Sequence, residues 1–177
     1  MIKEYTKGRA MHNAAMEFVY SSFHDWKADR TDLKVLEIGS LDINGSVRPM
    51  FKPFQAEYTG IDMQEGPGVD YVLDAAKFIN FEAYDVVVCA EVFEHTPDWK
   101  QIIYNCYNNL VEGGIFIATM AGEGRPPHSA IDENPIREWE HYSNIGWWEL
   151  QQSLKQQGFK QVKVNVLEND TRCWAVK

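Results

Sequence analysis

Leu33–Val47, which reads LKVLEIGSLDINGSV, is the stretch that decides the fold. An apolar run, Val35–Ile38, ends at Gly39, and turn-forming residues follow it. Ser46 is placed to cap a helix behind this loop, with Pro49 in its first turn, where a missing N–H costs nothing. Strand, glycine-containing loop and helix N-terminus in this order form the ligand-binding corner of doubly wound sheets.

The loop leaves more than one interpretation open. Glu37, at the end of the strand, is placed to receive a cation or an amine of a ligand, and the glycines permit close approach of the backbone. The loop lacks the G-x-G-x-x-G spacing of dinucleotide sites. An ordinary connection between a strand and a helix is the alternative.

Composition indicates a single globular domain over residues 1–177. The chain has 177 residues, 45% hydrophobic and 24% charged, which suits one core. No apolar run approaches the ~20 residues of a membrane span, and MIKEYTKGRAM at the N-terminus lacks the apolar core of a signal peptide. We therefore expect a cytoplasmic protein without a membrane partner.

Charge and cysteine usage argue against two classes of site. The formal net charge of -9 makes nucleic acid an unlikely partner, because phosphate backbones require clusters of Lys and Arg. Cys89, Cys106 and Cys173 are widely spaced, with no Cys-x-x-Cys and no histidine at zinc spacing. We expect three small core residues and no metal site. The oligomeric state stays open.

A helical segment precedes the first strand within residues 1–32. Apolar residues recur at helical spacing from Ala10 to Trp26, which predicts an amphipathic helix that covers one face of the sheet. Tyr5 and Lys7 lie before it, on a segment that either folds over a ligand or is a frayed terminus.

Strands and helices then alternate along the chain. Beyond the first strand, the pattern predicts six more strands: Glu57–Ile61, Val69–Leu73, Tyr84–Ala90, Ile115–Met120, Phe159–Val166 and Arg172–Val176. The last two form a hairpin across residues 168–170. The predicted fold is α/β: a doubly wound, Rossmann-like, mostly parallel seven-stranded sheet with a C-terminal antiparallel hairpin and helices on both faces.

Two further helices have predicted ends. Thr96 is predicted to cap the first helix, and Pro97 to occupy its first position. The negative charge of Asp98 complements the helix dipole, and Gly113-Gly114 are predicted to end the helix. The second begins near Trp147 and stops at Gly158.

Residues 121–143, from Ala121 to Ser143, carry glycines, three prolines and mixed polar residues, with at most a short helix at Ile136–Glu140. Long loops in compact domains are usually functional or disordered. We expect a lid or acceptor loop.

Polar residues fall at the carboxyl ends of the strands, the edge where such sheets bind ligands. Five features follow in order: Glu37-x-Gly39, Asp62, Asp74-Ala75, Glu91-Val-Phe-Glu-His95 and Glu112-Gly113-Gly114. Together they resemble the class I S-adenosylmethionine-dependent methyltransferases of the small core-domain type. The resemblance covers Leu33 to Met120 and the helix that ends at Gly158-Phe159.

The resemblance implies S-adenosylmethionine as cofactor, with S-adenosylhomocysteine as product. It places the methionine part at the glycine loop, the ribose on the acid after the second strand, and the adenine at the next strand end. Met63 would pack on the adenine, with a plain core role as the alternative. The implied cofactor residues are Glu37, Gly39, Ser40, Gly45, Asp62, Met63, Asp74, Ala75 and Glu91.

One position departs from the family. Most members have Gly-x-Gly in the loop, whereas this chain has Gly39-Ser40-Leu41. Asn44-Gly45 is placed to supply the close approach instead, because Asn and Gly tolerate positive φ.

Acceptor residues are expected after the fourth strand and in the long segment. Methyl transfer to a hydroxyl requires loss of a proton, which an imidazole can accept near neutral pH. His95 and His128 are the candidate bases, and orientation of the loop or the helix cap is the alternative role for His95. The candidate acceptor-binding residues are Arg125, His128, His141, Tyr142 and Trp147.

The sequence thus predicts an enzyme, a methyltransferase that O-methylates a small molecule or a glycan. Two alternatives remain. One is a catalytically silent module that binds S-adenosylmethionine, favoured by the altered glycine loop. The other is a nicotinamide-dependent oxidoreductase, which Asp62 suits but the loop spacing does not.

Overall fold

The computed structural model describes residues 13–27, 29–132 and 134–177. Its centre is a seven-stranded sheet of order β3-β2-β1-β4-β5-β7-β6. The strands are β1 Lys34–Ile38, β2 Glu57–Asp62, β3 Tyr71–Val72, β4 Tyr84–Ala90, β5 Leu110–Ala121, β6 Gln161–Leu167 and β7 Asp170–Val176.

Helices cover both faces of the sheet. They are α1 Asn13–Lys27, α2 Trp99–Asn109 and α3 Trp147–Gln157, with 3-10 helices at Arg48–Phe54 and Phe93–His95. Alternation along the strands separates two cores. Val86 and Val88 of β4 face α1 and the first 3-10 helix, whereas Val87 and Cys89 face α2 and α3. The predicted fold class is confirmed.

Pairing in the sheet follows the expected pattern. Parallel pairs join β1 to β2 and β4, and β4 to β5, so the carboxyl ends of these strands share one edge. β7 runs antiparallel to β5 over residues Ile115–Ala121 and to β6 along the hairpin. β7 is therefore the single reversed strand, as predicted.

The helix predicted after β1 is a 3-10 helix with Val47, not Ser46, at its N-cap. The Ser46 hydroxyl does accept a hydrogen bond from the Arg48 N–H at 3.1 Å. Pro53 lies inside the helix, where it removes a donor and obstructs an α-helical turn.

The limits predicted for the next helix were also wrong. Asp98 is the N-cap of α2, and the Thr96 hydroxyl instead accepts from the Asp98 N–H at 3.1 Å. The helix ends at Asn109, and Gly113-Gly114 lie within β5. The glycines accompany a register shift against β4, which explains why they resemble a helix stop in sequence.

Two other predictions need correction. β3 covers only Tyr71–Val72 of the expected Val69–Leu73. Ile136–Glu140 forms a turn rather than a helix, because the Glu140 carboxylate accepts the Arg137 N–H at 2.9 Å and competes with a helical ladder.

Tyr5, Lys7 and the first predicted turn of α1 lie outside the described residues. No helix in the described ranges is both long and apolar enough to cross a membrane.

Candidate functional site

A cleft of about 620 Å³ opens at the carboxyl ends of β1, β2 and β4. Two groups of residues lie in its walls or directly behind them. We call Gly39–Gly45, Asp62 and Asp74 the glycine-loop side, and Glu94, His95, His128 and Tyr142 the histidine side. Of the predicted residues, the cleft is lined by Gly39, Gly45, Asp62, Met63, Asp74, Ala75, Glu91, His95, Arg125 and His128.

Backbone hydrogen bonds hold the start of the glycine loop. The N–H groups of Gly39 and Ser40 both donate to the Ile61 carbonyl, at 3.0 and 3.1 Å. Gly39 has φ +75°, and a Cβ there would lie 2.3 Å from Cγ2 of Val92. Only glycine fits this corner without strain.

The loop accommodates Leu41 in place of a second glycine. Positive φ belongs to Gly39 and Gly45 in this loop and not to Leu41, so a side chain is allowed there. The Leu41 side chain lies against Gly66, where an added Cβ would be 2.3 Å from Cδ1 of Leu41. The Leu41 N–H donates to Oδ2 of Asp62 at 3.2 Å.

Two carboxylates stand at the ends of β2 and β3. Asp62 also accepts the Gln64 N–H on Oδ1 at 3.0 Å, which fixes its orientation at the rim of the cleft. Asp74 accepts the Ala76 N–H at 2.9 Å and pairs with Lys77 at 2.9 Å. The hydrogen bond from Lys77 lowers the pKa of Asp74, so this carboxylate is ionised at neutral pH.

Glu37 and Ser40 lie beneath the loop and do not line the cleft. Glu37 is 3% exposed, and Oε2 accepts the Tyr58 hydroxyl at 2.8 Å. Burial raises the pKa of Glu37 to about 7 against this hydrogen bond and the charge of Arg48. Neither Glu37 nor Ser40 is therefore exposed to the cleft in this structure.

A buried acid follows β4 on the histidine side. Glu94 is 0% exposed, and its Oε1 accepts the Ala121 N–H at 2.9 Å. Burial, and next the charge of Glu91, raise the pKa of Glu94 above its ordinary value. Glu91 itself lines the cleft with φ +55°, a conformation rarely adopted by a side-chain-bearing residue.

Three rings pack together above this acid. The ring centroid of His95 lies 5.1 Å from His128 and 5.6 Å from Tyr142, and the latter two are 5.1 Å apart. All three contacts are edge-to-face. Burial lowers the pKa of His95 to about 4, with His128 as the next cause, so its imidazole is neutral at pH 7.

The long segment is anchored to the sheet and to itself. Ser143 N–H donates to the Glu94 carbonyl at 2.8 Å, and Ile145 N–H to the Ala121 carbonyl at 2.9 Å. Arg125 pairs with Asp170 of β7. Residues 122–146 thus form one wall of the cleft, although they contain no helix or strand in their described part.

Two predicted acceptor residues are not brought to the cleft. His141 is exposed, with Nε2 3.1 Å from the Ser143 hydroxyl. Trp147 is 46% exposed and packs on Trp148 at the start of α3. Tyr142 does not line the cleft either, but its ring contacts both histidines that do.

Sequence reasoning missed several other residues that line the cleft. Leu41 and Ile43 lie in the glycine loop, Leu73 precedes Asp74, and Val92 and Thr96 flank the second 3-10 helix. Their proximity to the predicted acids was the available signal. Pro126 and Pro127 had no such signal, because the path of the long segment places them.

Comparison with known proteins gives a consistent family. The family model described as a methyltransferase domain matches residues 11–164. A ubiquinone biosynthesis O-methyltransferase from Pseudomonas entomophila is 32% identical over 116 residues, 54% of this chain and 49% of the relative. One from Saccharophagus degradans is 30% identical over 117 residues, 56% of this chain and 49% of the relative. The chain spans about half the length of the curated relatives it matches.

Solved structures share the fold. A Burkholderia thailandensis 1,6-didemethyltoxoflavin-N1-methyltransferase with bound S-adenosylhomocysteine has a TM-score of 0.72 at 16% identity, over 94% of this chain and 79% of that one. A Haemonchus contortus phosphoethanolamine N-methyltransferase 2 in complex with S-adenosyl-L-methionine has a TM-score of 0.69 at 15% identity, over 94% and 52%.

Proposed function

The chain belongs to the class I S-adenosylmethionine-dependent methyltransferases, and from this premise we propose that it methylates a hydroxyl oxygen of a small molecule. One observation carries the proposal: a single cleft joins a loop suited to the cofactor with a histidine side suited to a hydroxyl. The O-methyltransferase names of the curated relatives support oxygen as the acceptor atom.

The residues present fit the cofactor. A volume of about 620 Å³ is in the range of small-molecule sites, and the corner at Gly39 is one that a Cβ would fill. In the proposed arrangement Gly39 and Gly45 flank the methionine part, and Asp62 accepts hydrogen bonds from the ribose. Ala75 and Asp74 face the adenine, on which the exposed Met63 packs.

Glu37 and Ser40 act from beneath. The Glu37–Tyr58 hydrogen bond and the two N–H groups on Ile61 keep the end of β1 in place. Glu91 lies in the cleft between the two sides, near the position expected for the amine.

The chain's task in catalysis is alignment. When bound, S-adenosylmethionine supplies an electrophilic methyl group, which forms a C–O bond as the C–S bond breaks and its electron pair returns to sulfur. The cleft walls orient the acceptor in line with that bond and exclude water. In this arrangement His95 and His128 lie next to the acceptor oxygen and are the candidate bases for its proton. Arg125 and Tyr142 border the acceptor space.

Further features of the protein belong to the same proposal. The described residues form one domain with residues 121–143 as its acceptor loop. A glycan is the second class of acceptor in this proposal, and Pro126 and Pro127 would border either acceptor. Cys89, Cys106 and Cys173 are buried and free, which is consistent with a reducing cytoplasm.

Calorimetry and a turnover assay test the proposal together. We expect S-adenosylhomocysteine to bind with one-to-one stoichiometry, and radioactive methyl groups to pass from S-adenosylmethionine to one or more members of a panel of phenols and catechols. Sugars serve as the comparison acceptors, and NADH as the comparison ligand.

Each outcome has one meaning. Binding without turnover on any acceptor would favour the silent module. Binding of NADH without S-adenosylhomocysteine would favour the oxidoreductase, and methylated sugars would move the acceptor to a glycan. Leu41 does not have a positive φ, so we expect its side chain to leave cofactor binding intact.

A further inference from the structure

We propose that Glu94, His95 and His128 bind a divalent transition-metal ion, of which Zn²⁺ is the representative, at the acceptor end of the cleft. Each side chain offers one ligand atom, and these atoms lie within 4.8 Å of one another. An ion bonded at about 2.0–2.2 Å keeps its ligand atoms no more than about 4.4 Å apart, so small ring rotations complete the site.

Unsatisfied buried atoms give independent support. Oε1 of Glu94 accepts the Ala121 N–H, whereas Oε2 has no hydrogen-bond partner in the part of the chain that the structure describes. Nδ1 of His95 is likewise buried and unpartnered among the described residues. Leaving such groups unpaired costs free energy, and a cation would satisfy both.

His128 is already oriented as a ligand. Its Nδ1 lies 3.2 Å from the Pro126 carbonyl, so a proton on Nδ1 is donated there and the lone pair remains on Nε2. The Tyr142 hydroxyl donates to the same carbonyl at 3.2 Å and packs its ring on His128. Metal-bound histidines in proteins are fixed by this kind of second contact.

The donor set and the surrounding charge select the kind of ion. Two imidazoles and a carboxylate suit Zn²⁺, Fe²⁺ or Co²⁺, whereas Mg²⁺ prefers oxygen ligands. Glu91 adds a negative charge that acts on Glu94. The opposing charge of Arg125 is shared with Asp170.

The ion would deepen the proposed function, on which this consequence rests. Bound to the acceptor's oxygen, it lowers the pKa of the hydroxyl, which loses its proton to solvent. The oxygen lone pair then forms the C–O bond as the C–S bond breaks, and one proton is released for each methyl transferred. His95 and His128 are then metal ligands rather than bases, contrary to the expectation of no metal site.

The test uses Co²⁺ as a spectroscopic probe on the full chain after treatment with a chelator. We expect one equivalent of Co²⁺ to bind, with visible absorption bands that Zn²⁺ abolishes and millimolar Mg²⁺ does not. His128→Ala and Glu94→Gln should each weaken Co²⁺ binding at least tenfold. His24→Ala, which removes an exposed histidine of α1, is the matched control and should bind as the parent does.

Thermal unfolding of each variant separates loss of the site from loss of the fold. Glu94→Gln keeps an oxygen for the Ala121 N–H, so it provides a folded variant if His128→Ala is unstable. No Co²⁺ binding by the folded parent, or equal binding by the folded variants and the parent, would overturn the site. S-adenosylhomocysteine is titrated separately in chelator, so its failure to bind would count against the proposed function and not against the metal site.

Discussion

The two sides of the cleft are built in different ways. On the glycine-loop side, polar side chains bond to backbone groups close by in sequence, as Asp62 does with the N–H of Gln64. On the histidine side, Glu94 and His128 come from separate segments, and buried polar atoms of Glu94 and His95 lack partners in the described part of the chain. Among the described residues, the polar groups of the glycine-loop side are thus mostly paired without a ligand, with the buried Ser40 hydroxyl as an exception, whereas the histidine side leaves the Glu94 and His95 atoms for a ligand.

Because of this difference, we expect substitutions on the two sides to affect ligand binding differently. A preformed side holds a constant ligand through backbone geometry, so damage to its backbone should abolish binding. The histidine side depends on few side chains, so its ligands should be lost one at a time without loss of the cofactor. Two substitutions on the glycine-loop side and one beneath it, at Glu37, test this separation.

Gly39→Ala should have the largest effect. Left-handed φ costs about 1–2 kcal/mol for an alanine, and overlap with Val92 adds about 1–3 kcal/mol. We expect binding of S-adenosylhomocysteine to be lost and the free energy of unfolding to fall by about 2–5 kcal/mol, measured by calorimetry and urea unfolding.

Gly113→Ala is the matched control, because Gly113 has φ +76° and nothing within 4 Å of an added Cβ. Its free energy of unfolding should fall only by the cost of a left-handed φ, about 1–2 kcal/mol. Its affinity for S-adenosylhomocysteine should not change. If the free energy of unfolding fell equally in the two variants, the contact with Val92 would not contribute to the effect of Gly39→Ala.

Asp62→Ala should have an intermediate effect. Loss of hydrogen bonds to a charged group costs about 1.5–3 kcal/mol, so the dissociation constant of S-adenosylhomocysteine should rise by roughly 10- to 150-fold. Co²⁺ binding should not change. Asp85→Ala is the control, because Asp85 accepts the Lys34 N–H at 2.8 Å at the opposite end of the sheet. An unchanged dissociation constant in folded Asp62→Ala would exclude this carboxylate from the cofactor site.

Glu37→Gln should have the smallest effect, seen in the pH dependence of stability. The pKa of Glu37 is about 7 in the folded protein, above the ordinary value of 4.5, because burial and the charge of Asp42 outweigh the Tyr58 hydrogen bond and the charge of Arg48. Its stabilising contribution is therefore full below pH 4.5 and is lost as pH rises through 7. Relative to the parent, the Gln variant should gain on the order of 2 kcal/mol of unfolding free energy between pH 5 and 8.

Urea unfolding of both proteins at several pH values gives that difference directly. Gln retains an acceptor for the Tyr58 hydroxyl, so the hydrogen bond is not removed. Parallel pH profiles for the two proteins would mean that Glu37 does not titrate in this range.

The sequence was a good guide where structure is local. The apolar run of β4 specifies a central strand by itself, and the acids after β2 and β3 follow directly from their positions. Gly113-Gly114 misled, because a glycine pair serves a helix end and a strand irregularity equally well. The order Pro97-Asp98 likewise suggested a cap at Thr96, although Asp98 takes that position.

The histidine side was beyond sequence reasoning because it depends on the path of residues 122–146. Glu94 had no predicted role of its own, and its hydrogen bond from the Ala121 N–H joins residues 27 positions apart. His128 and His141 were both predicted to bind the acceptor, and only His128 was also predicted as a base. In the structure only His128 of the two lines the cleft. The Ser129 hydroxyl, next to His128, donates to the Glu140 carboxylate at 2.7 Å, a contact between residues 11 positions apart.

The reversed strand β7 has a consequence for how the chain folds. β5 pairs with β4 on one side and with β7 on the other, and β7 follows β5 only after the long segment, α3 and β6. Until that distant pairing forms, the Ile115–Ala121 stretch presents an apolar edge with open backbone groups. We therefore expect docking of the hairpin to be the late, slow step of folding, and an intermediate with β5 exposed to be the species most prone to aggregate.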